Sequence, residues 1–263
     1  MLHAVMVGID EYKDAAISGL SYARADARAM ADLIEKRVEP SERSVRCLLD
    51  GAATRDAIMA AVGDDLHRSV RPGDIVMLYF ACHGSPERRG AKDRTSLYLI
   101  PHDTDYGRIY SSAISMELEI PRWFERLAEA SLVVLFVDAC FSGAVGGRTF
   151  AGPVFMERPS APGFLHDPKP ISLMNLKLGR GHVILCAADD QQIAREDPGL
   201  GHGVFTHFVL EQLQCASPVG GQTIGVLELY ERVAQLVSDR TDGLQQPVIN
   251  TRGGRLPKLP RFG

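Results

Sequence analysis

The stretch IVMLYFACHGS, residues 75–85, decides the fold, because it reads as a buried β-strand that ends in His83 and Gly84. A second stretch, LVVLFVDACFSG at residues 132–143, has the same form and carries Cys140 just beyond its apolar run. Neither run alternates with polar residues, which is typical of strands buried on both faces of a parallel sheet. Ligands bind outside the carboxyl ends of such strands. We therefore expect the imidazole and the thiol to lie at the same edge of one sheet.

Further apolar runs predict the rest of that sheet. The six predicted strands, all expected to be buried, are residues 4–9, 45–49, 75–82, 132–137, 183–188 and 247–249. Stretches of helical period separate them, such as the apolar stripe through Ala23, Ala27 and Ala31. This alternation predicts the α/β class, with a central, mainly parallel six-stranded sheet covered by helices on both faces.

Local signals predict where some elements begin. Thr54 is a good cap for a helix whose first turn contains Asp56. Pro121 suits the first position of a helix that carries Trp123 inward. Residues 97–100 are expected to add a small hairpin arm.

The chain length favours one domain. At 263 residues it is close to the upper size of a single α/β domain, so we expect one domain over residues 1–263. Residues 144–180 are rich in Gly, Pro and basic residues and show no sustained period. They predict a long flexible loop that serves as a regulatory linker, unless the neighbouring element boundaries are misjudged.

Composition argues against several classes of protein. The net charge is only −4 and the basic residues are scattered, which does not favour nucleic-acid binding. No apolar run approaches the roughly 20 residues of a membrane helix. The first residues do not have the pattern of a secretory signal, so we expect a cytoplasmic protein. Five cysteines without paired spacing argue against both a disulfide framework and zinc.

The paired thiol and imidazole predict nucleophilic catalysis. A free thiol with a pKa of about 8.5 is mostly protonated at neutral pH, and a nearby imidazole can both activate it and protonate a leaving amine. Gly84 leaves the main chain uncrowded, so its N–H and that of Cys140 are candidates for an oxyanion hole. A single histidine or cysteine would more often be structural; the prediction depends on the two together.

The two strand ends resemble those of the caspase and metacaspase family. The shared features are His83-Gly84 and, after the next predicted strand, the segment DACFSG at residues 138–143. The segments around Tyr12, 20–26 and 203–206 also resemble metacaspase segments in the same order. The resemblance implies a caspase-like fold and a cysteine endopeptidase that acts through a Cys140–His83 dyad and an acyl-enzyme intermediate. No third, orienting residue can be assigned from the sequence, although a backbone carbonyl can serve.

The same resemblance suggests the preferred substrate. Metacaspases carry Asp two residues before the nucleophile and cleave after Arg or Lys, and this chain has Asp138 there. Asp26 matches the second pocket acid, and Ala81 stands where many metacaspases have Ser. Asp189 is a further candidate for the cleft. Read without the family, Asp138 can simply accept backbone N–H groups and Asp26 can favour a helix dipole.

Regulation is predicted in outline. Ser115, Met116 and Gly147 stand near the places where many metacaspases carry calcium-binding carboxylates, so we expect neither calcium dependence nor another metal or cofactor. Basic residues in and beside the long loop are candidate self-processing sites: Arg148, Arg158, Lys169, Lys177 and Arg180. We expect a separate activating protein, and a role in regulated proteolysis within signalling, defence or cell death.

Two alternatives use a similar fold. A catalytically silent caspase-like scaffold would bind a partner protein, but the presence of both Cys140 and His83 speaks against it. A nucleotide-binding enzyme is less favoured, because the first strand leads into Gly8-Ile9-Asp10 without a glycine-rich phosphate loop.

Overall fold

The computed structural model describes most of the chain outside the predicted long loop. The described residues are 1–89, 94–139, 141, 176, 178–189, 192–215, 223–252, 258–260 and 262. The candidate nucleophile Cys140 lies outside this set. Most of the predicted loop, residues 144–175 and 177, also lies outside it.

The described part contains both strands and helices throughout its length. In chain order the strands are β1 (Leu2–Gly8), β2 (Arg43–Leu49), β3 (Ile75–Ala81), β4 (Gly84–Arg89), β5 (Arg94–Leu99), β6 (Ile114–Ser115), β7 (Leu132–Asp138), β8 (His182–Cys186), β9 (Glu196–Asp197), β10 (His202–Gly203), β11 (Thr223–Gly225), β12 (Val248–Thr251) and β13 (Lys258–Pro260). The α-helices are α1 (Ala23–Arg37), α2 (Arg55–Met59), α3 (Leu66–Ser69), α4 (Ile109–Ser112), α5 (Met116–Arg126), α6 (Val204–Gln214) and α7 (Val226–Arg240). A π-helical stretch, Ala60–Asp65, joins α2 to α3, and short 3-10 turns lie at Pro40–Glu42, Asp50–Ala52 and Tyr106–Arg108.

The central sheet confirms the predicted α/β class. Its six strands run in the order β12-β8-β7-β3-β1-β2. The neighbouring strands from β2 to β8 are parallel, and β12 pairs antiparallel with β8. All six predicted strands are therefore present, and the sheet is mainly parallel as expected.

Helices cover both faces of this sheet. Alternate residues of β3 show the division, since Tyr79 packs in the cluster that contains α1, α6 and α7, whereas Phe80 packs in the other cluster. That second cluster contains apolar residues of α2, α3 and α5. The two cores lie on opposite sides of the sheet, which explains the unbroken apolar runs of the central strands.

The two edge strands correct part of the sequence interpretation. The sequence predicts that residues 45–49 and 247–249 are buried strands, but in β2 only Leu48 is buried and in β12 every residue is partly exposed. Both strands have a neighbour on one side only, because they end the sheet. An apolar run reveals a strand but does not distinguish an edge position from a central one.

Two local predictions have different outcomes. Thr54 caps α2 as expected, accepting a hydrogen bond from Ala57 N to its Oγ1 at 3.2 Å. Pro121 does not begin its helix: α5 starts at Met116, and Ser115 is the cap through a 3.3 Å bond from Leu118 N. A polar side chain that accepts this N–H outweighs the preference of Pro for the first turn.

The predicted hairpin arm is larger than expected. It is a three-stranded antiparallel sheet in the order β4-β5-β6, and its first strand begins immediately after His83.

In the described residues, no helix is both long and apolar enough to cross a membrane.

Candidate active site

The carboxyl ends of β1, β3 and β7 form one continuous edge. Gly8 is the register partner of Ala81, and Ala81 is the partner of Asp138. Beyond this row, Ile9 N still donates to Ala81 O at 3.0 Å. His83 and Cys140 each follow the row by two residues in the sequence. The last described residue before the cysteine, Ala139, is completely buried.

His83 is held in a defined orientation by a backbone carbonyl. Its ring Nε2 lies 2.8 Å from the carbonyl oxygen of Ser18, and the residue is 1% exposed. A carbonyl oxygen only accepts, so Nε2 carries the proton of this hydrogen bond. In a neutral imidazole the other nitrogen is then the acceptor. The contact with Ser18 therefore makes Nδ1 the basic nitrogen of the ring.

Tyr12 contacts the same histidine in two ways. Its ring stacks on the imidazole with centroids 5.2 Å apart. Its hydroxyl oxygen accepts a hydrogen bond from the backbone N–H of His83 at 2.8 Å. Ring and main chain of His83 are thus both fixed by residues that follow β1.

The backbone N–H of Gly84 points away from the neighbouring strand. Gly84 is the register partner of Leu99, and next to this pair Ile100 N donates to His83 O at 3.1 Å. Hydrogen-bonded and non-hydrogen-bonded pairs alternate along an antiparallel ladder. The Gly84–Leu99 pair is accordingly a non-hydrogen-bonded one, and this direction of the N–H is compatible with an oxyanion hole.

Asp138 is a completely buried carboxylate at the tip of β7. Its Oδ2 accepts a hydrogen bond from Thr206 Oγ1 at 2.5 Å. Thr206 lies in the first turn of α6, which packs on the same face of the sheet. The carboxylate therefore points from the sheet towards the beginning of this helix, where the helix dipole favours negative charge.

Asp26 points at the beginning of the same helix. Its Oδ2 accepts a hydrogen bond from the backbone N–H of Gly203 at 3.0 Å, and its Oδ1 lies 2.6 Å from His202 Nδ1. The side chain is completely buried on the inner face of α1. The structure thus brings the two sequence-predicted pocket acids to one turn, residues 202–206.

Ala81 and Asp189 occupy different positions at the same edge. Ala81 is completely buried and faces the core on the side of α1 and α6. Asp189 follows β8 and is half-buried, and its carbonyl oxygen accepts a hydrogen bond from Gln192 N at 3.0 Å. Ala81 is therefore beside Asp138 in the register, whereas Asp189 lies beyond the tip of β8.

Arg180 lies at the other end of the molecule. It is exposed and lies two residues before the start of β8, at the amino edge of the sheet. The strands span about 20 Å between the two edges, from about 3.3 Å per residue. The other candidate processing sites, Arg148, Arg158, Lys169 and Lys177, lie outside the described residues.

The segment between β1 and α1 contributes contacts that the sequence did not reveal. Besides Tyr12 and Ser18 it contains Asp10, whose Oδ1 accepts a hydrogen bond from Ala23 N at 2.8 Å and so caps α1. Burial raises the pKa of Asp10, and the N–H groups of Arg24 and Ala23 partly offset this effect. A carbonyl oxygen has no sequence signature, so only the fold could identify Ser18 as the partner of His83.

Among the described residues, no group of three or more His, Cys, Asp or Glu side chains has an arrangement that could hold a metal ion.

Comparisons with known proteins agree with this architecture. A family model described as the caspase domain matches residues 1–255. Protein GSU0716 from Geobacter sulfurreducens has a similar structure, with a TM-score of 0.69, 18% sequence identity and coverage of 99% of this chain and 98% of that one. Caspase-1 from Spodoptera frugiperda is similar with a TM-score of 0.56, 13% identity and coverage of 100% and 89%. Among curated proteins, none matches the sequence.

The structural matches show the fold alone, because their sequence identities are low. The family model is the stronger finding, since it spans nearly the whole chain and includes both strand ends described above. The chain therefore belongs to the caspase-domain family of cysteine peptidases.

Proposed function

We propose that this protein is a cysteine endopeptidase that uses Cys140 as nucleophile and His83 as general acid and base. The observation that carries the proposal is the contact between His83 Nε2 and the carbonyl oxygen of Ser18 at 2.8 Å. This contact supports Nδ1 as the basic nitrogen, because Nε2 carries the proton. Cys140 follows the neighbouring strand by two residues, which suits a thiol partner for that nitrogen.

The reaction then proceeds in two halves. His83 Nδ1 takes the proton of the Cys140 thiol, and the thiolate attacks the carbonyl carbon of the scissile bond. The N–H groups of Gly84 and Cys140 stabilise the oxyanion that forms. The imidazolium returns its proton to the leaving amine as the carbon–nitrogen bond breaks, which leaves an acyl-enzyme. In the second half His83 removes a proton from water, the hydroxide attacks the thioester, and the carboxylic acid and the thiol are released.

We further propose cleavage after Arg, and with it a closer relation to metacaspases than to Asp-specific caspases; Lys would be the second choice. Asp138 and Asp26 are both completely buried: Asp138 accepts a hydrogen bond from Thr206 in the first turn of α6, and Asp26 accepts one from Gly203, which directly precedes that helix. Two carboxylates in one cleft favour a guanidinium or an ammonium and repel an Asp side chain by several kcal/mol. Ala81, next to Asp138 in the register, has a small side chain that would leave room at the floor of such a pocket, and Asp189 would line its outer side.

A peptide panel tests both parts of this proposal. The peptides differ only in the residue before the cut, which is Arg, Lys, Asp or citrulline, a neutral analogue of Arg. We expect cleavage in the order Arg, Lys and then citrulline, with no cleavage after Asp, and complete loss in Cys140→Ala. Preference for Asp would contradict the pocket, and cleavage that survives in Cys140→Ala would contradict the nucleophile. Binding of the peptides without cleavage would instead favour the silent scaffold.

Regulation can be measured in the same assay. We propose that no metal is needed, so chelation of calcium should leave the rate unchanged. Arg180 is exposed at the far edge of the sheet, so we propose that any cleavage there occurs between molecules. Its rate should then rise with protein concentration, as followed by intact-mass spectrometry. A cytoplasmic role in regulated proteolysis, switched on by a separate protein, completes the proposal.

A further inference from the structure

The hydroxyl groups of Tyr79 and Thr206 form a chain of two hydrogen bonds that ends at the carboxylate of Asp138. Tyr79 Oη lies 2.5 Å from Thr206 Oγ1, and Thr206 Oγ1 lies 2.5 Å from Asp138 Oδ2. Tyr79 belongs to β3, Thr206 to α6 and Asp138 to β7, and all three residues are completely buried. The chain therefore crosses from the sheet to the helix and back to the tip of the next strand.

The direction of these hydrogen bonds follows from the donor inventory. An ionised carboxylate only accepts, so Thr206 donates its single hydroxyl proton to Asp138. The hydroxyl of Thr206 can then only accept from Tyr79, which must donate. Both bonds thus point towards the carboxylate, and each supports its negative charge.

The surroundings of Asp138 show why this hydroxyl matters. Burying a charge is costly unless hydrogen bonds compensate it. The register partner on β3 is Ala81, whose methyl group has no donor, so the hydroxyl comes from the helix instead. A carboxylate has about four lone-pair sites, and the bond from Thr206 uses one of them. The bond is therefore compatible with a substrate guanidinium on the same carboxylate.

We propose that Thr206 is a positioning residue for substrate specificity, which keeps Asp138 charged and oriented towards the side chain before the cut, with Tyr79 holding the Thr206 hydroxyl. This inference rests on the proposed function, because it takes Asp138 as a pocket acid. Without the hydroxyl, the buried carboxylate of Asp138 would lose a hydrogen-bond donor that supports both its charge and its orientation. The protein would then lose its preference for a positive side chain while the dyad remained intact.

Binding to a Cys140→Ala parent tests this role without any need for turnover. Two product peptides are titrated by calorimetry, one ending in Arg and one ending in citrulline. The variants are Thr206→Val, which replaces the hydroxyl by a methyl, Thr206→Ser, which keeps it, and Tyr79→Phe. Thr104→Val is the matched control, because Thr104 is also buried. Its hydrogen bond is donated by the backbone N–H, which the substitution leaves in place.

We expect the parent to bind the Arg peptide at least about tenfold more tightly than the citrulline peptide. Thr206→Val should lower this ratio about tenfold, as for loss of a hydrogen bond to a charged group. Thr206→Ser and Thr104→Val should keep it within about twofold, and Tyr79→Phe should lower it about threefold.

Equal weakening of both peptides in Thr206→Val would show a structural role only and overturn the inference, as would an unchanged ratio. If Thr206→Val does not fold in a thermal unfolding scan, an unchanged ratio in Tyr79→Phe overturns it instead. A parent that binds both peptides equally also overturns it, since no preference is left to position. Failure of the proposed function is a different result, namely absence of Cys140-dependent cleavage in the peptide panel.

Discussion

The two edges of the central sheet each contain a buried histidine and a buried carboxylate, but they connect them differently. At the amino edge, His3 Nε2 lies 3.0 Å from Asp74 Oδ2, so the two groups bind each other. At the carboxyl edge, His83 binds the carbonyl oxygen of Ser18, and Asp138 accepts from the hydroxyl of Thr206. The amino edge joins His3 directly to Asp74, whereas at the carboxyl edge His83 and Asp138 each have a neutral hydrogen-bond partner.

This difference teaches what each arrangement is suited for. At the amino edge the imidazole of His3 and the carboxylate of Asp74 bind each other within the fold, at 3.0 Å. A carbonyl or hydroxyl orients a group without adding an opposite charge. Pairing at the amino edge stabilises the folded chain, whereas under the proposed function the neutral partners of His83 and Asp138 leave a basic nitrogen and a negative charge available to a substrate.

The strongest test of the comparison replaces the histidine of each edge. His83→Ala should lower kcat/KM on the Arg peptide about a thousandfold, because the general acid and base is lost. His3→Ala should leave kcat/KM within about threefold and lower the free energy of unfolding by about 2 kcal/mol. Steady-state kinetics and urea unfolding of both variants measure this. Similar kinetic losses in the two variants would break the comparison.

The next test concerns Asp138, the carboxylate of the carboxyl edge. Asp138→Asn keeps the shape of the side chain but removes its charge, so kcat/KM for the Arg peptide should fall about a hundredfold. The citrulline peptide should be cleaved at nearly the original rate, since its side chain is neutral. A parallel loss on both peptides would mean that Asp138 supports the fold and not the specificity.

The contribution of Asp74, the carboxylate of the amino edge, to the free energy of unfolding should depend on pH. Burial alone would raise the pKa of Asp74. Hydrogen bonds from the amino group of Met1, from Arg71 N–H and from His3 outweigh this effect and lower the pKa to about 2. Because the folded-state pKa lies below the ordinary 3.8, the stabilisation is present above about pH 4 and is lost as the pH falls towards 2. Asp74→Asn should therefore cost about 2 kcal/mol at pH 7.

That cost should disappear near pH 2, where Asp74 becomes protonated in the unmodified protein. Urea unfolding at several pH values checks this. Asp32→Asn is the control, because its ion pairs with Arg28 and Lys36 are exposed and should contribute no more than about 0.5 kcal/mol. A cost for Asp74→Asn that stays constant down to pH 2 would rule out the charge as its cause.

The smallest expected effect comes from the hydroxyl that fixes the main chain of His83. Tyr12→Phe keeps the stacked ring but removes the acceptor for His83 N–H, so kcat should fall about fivefold. KM should stay the same, because Tyr12 does not belong to the proposed pocket. Tyr110→Phe, at an exposed tyrosine, should change neither constant. A larger change in KM than in kcat would place Tyr12 in substrate binding.

The sequence predicted the sheet well because buried parallel strands have a distinct pattern. Apolar runs located all six strands, and the residues after β3 and β7 indicated the edge at which the candidate site lies. Edge exposure of β2 and the start of α5 at Met116 were not predicted, since they depend on strand order and on one capping hydroxyl. Ser18 and Thr206 were missed for a related reason: their contacts join segments far apart in the chain.

Gly8 lies at the end of β1, where the first turn of α1 packs closely against the strand. A Cβ there would lie 2.4 Å from the carbonyl oxygen of Ala23, so the sheet fixes where α1 begins. The residues between these two points supply Tyr12 and Ser18 to the imidazole, and α1 then supplies Asp26 to the turn at 202–206. The proposed proton transfer and the proposed choice of substrate therefore depend on one tether of fixed length, namely the segment between Gly8 and α1. An insertion or deletion in it would impair both at once, so a redesign of specificity must change side chains on α6 or β7 and leave this tether intact.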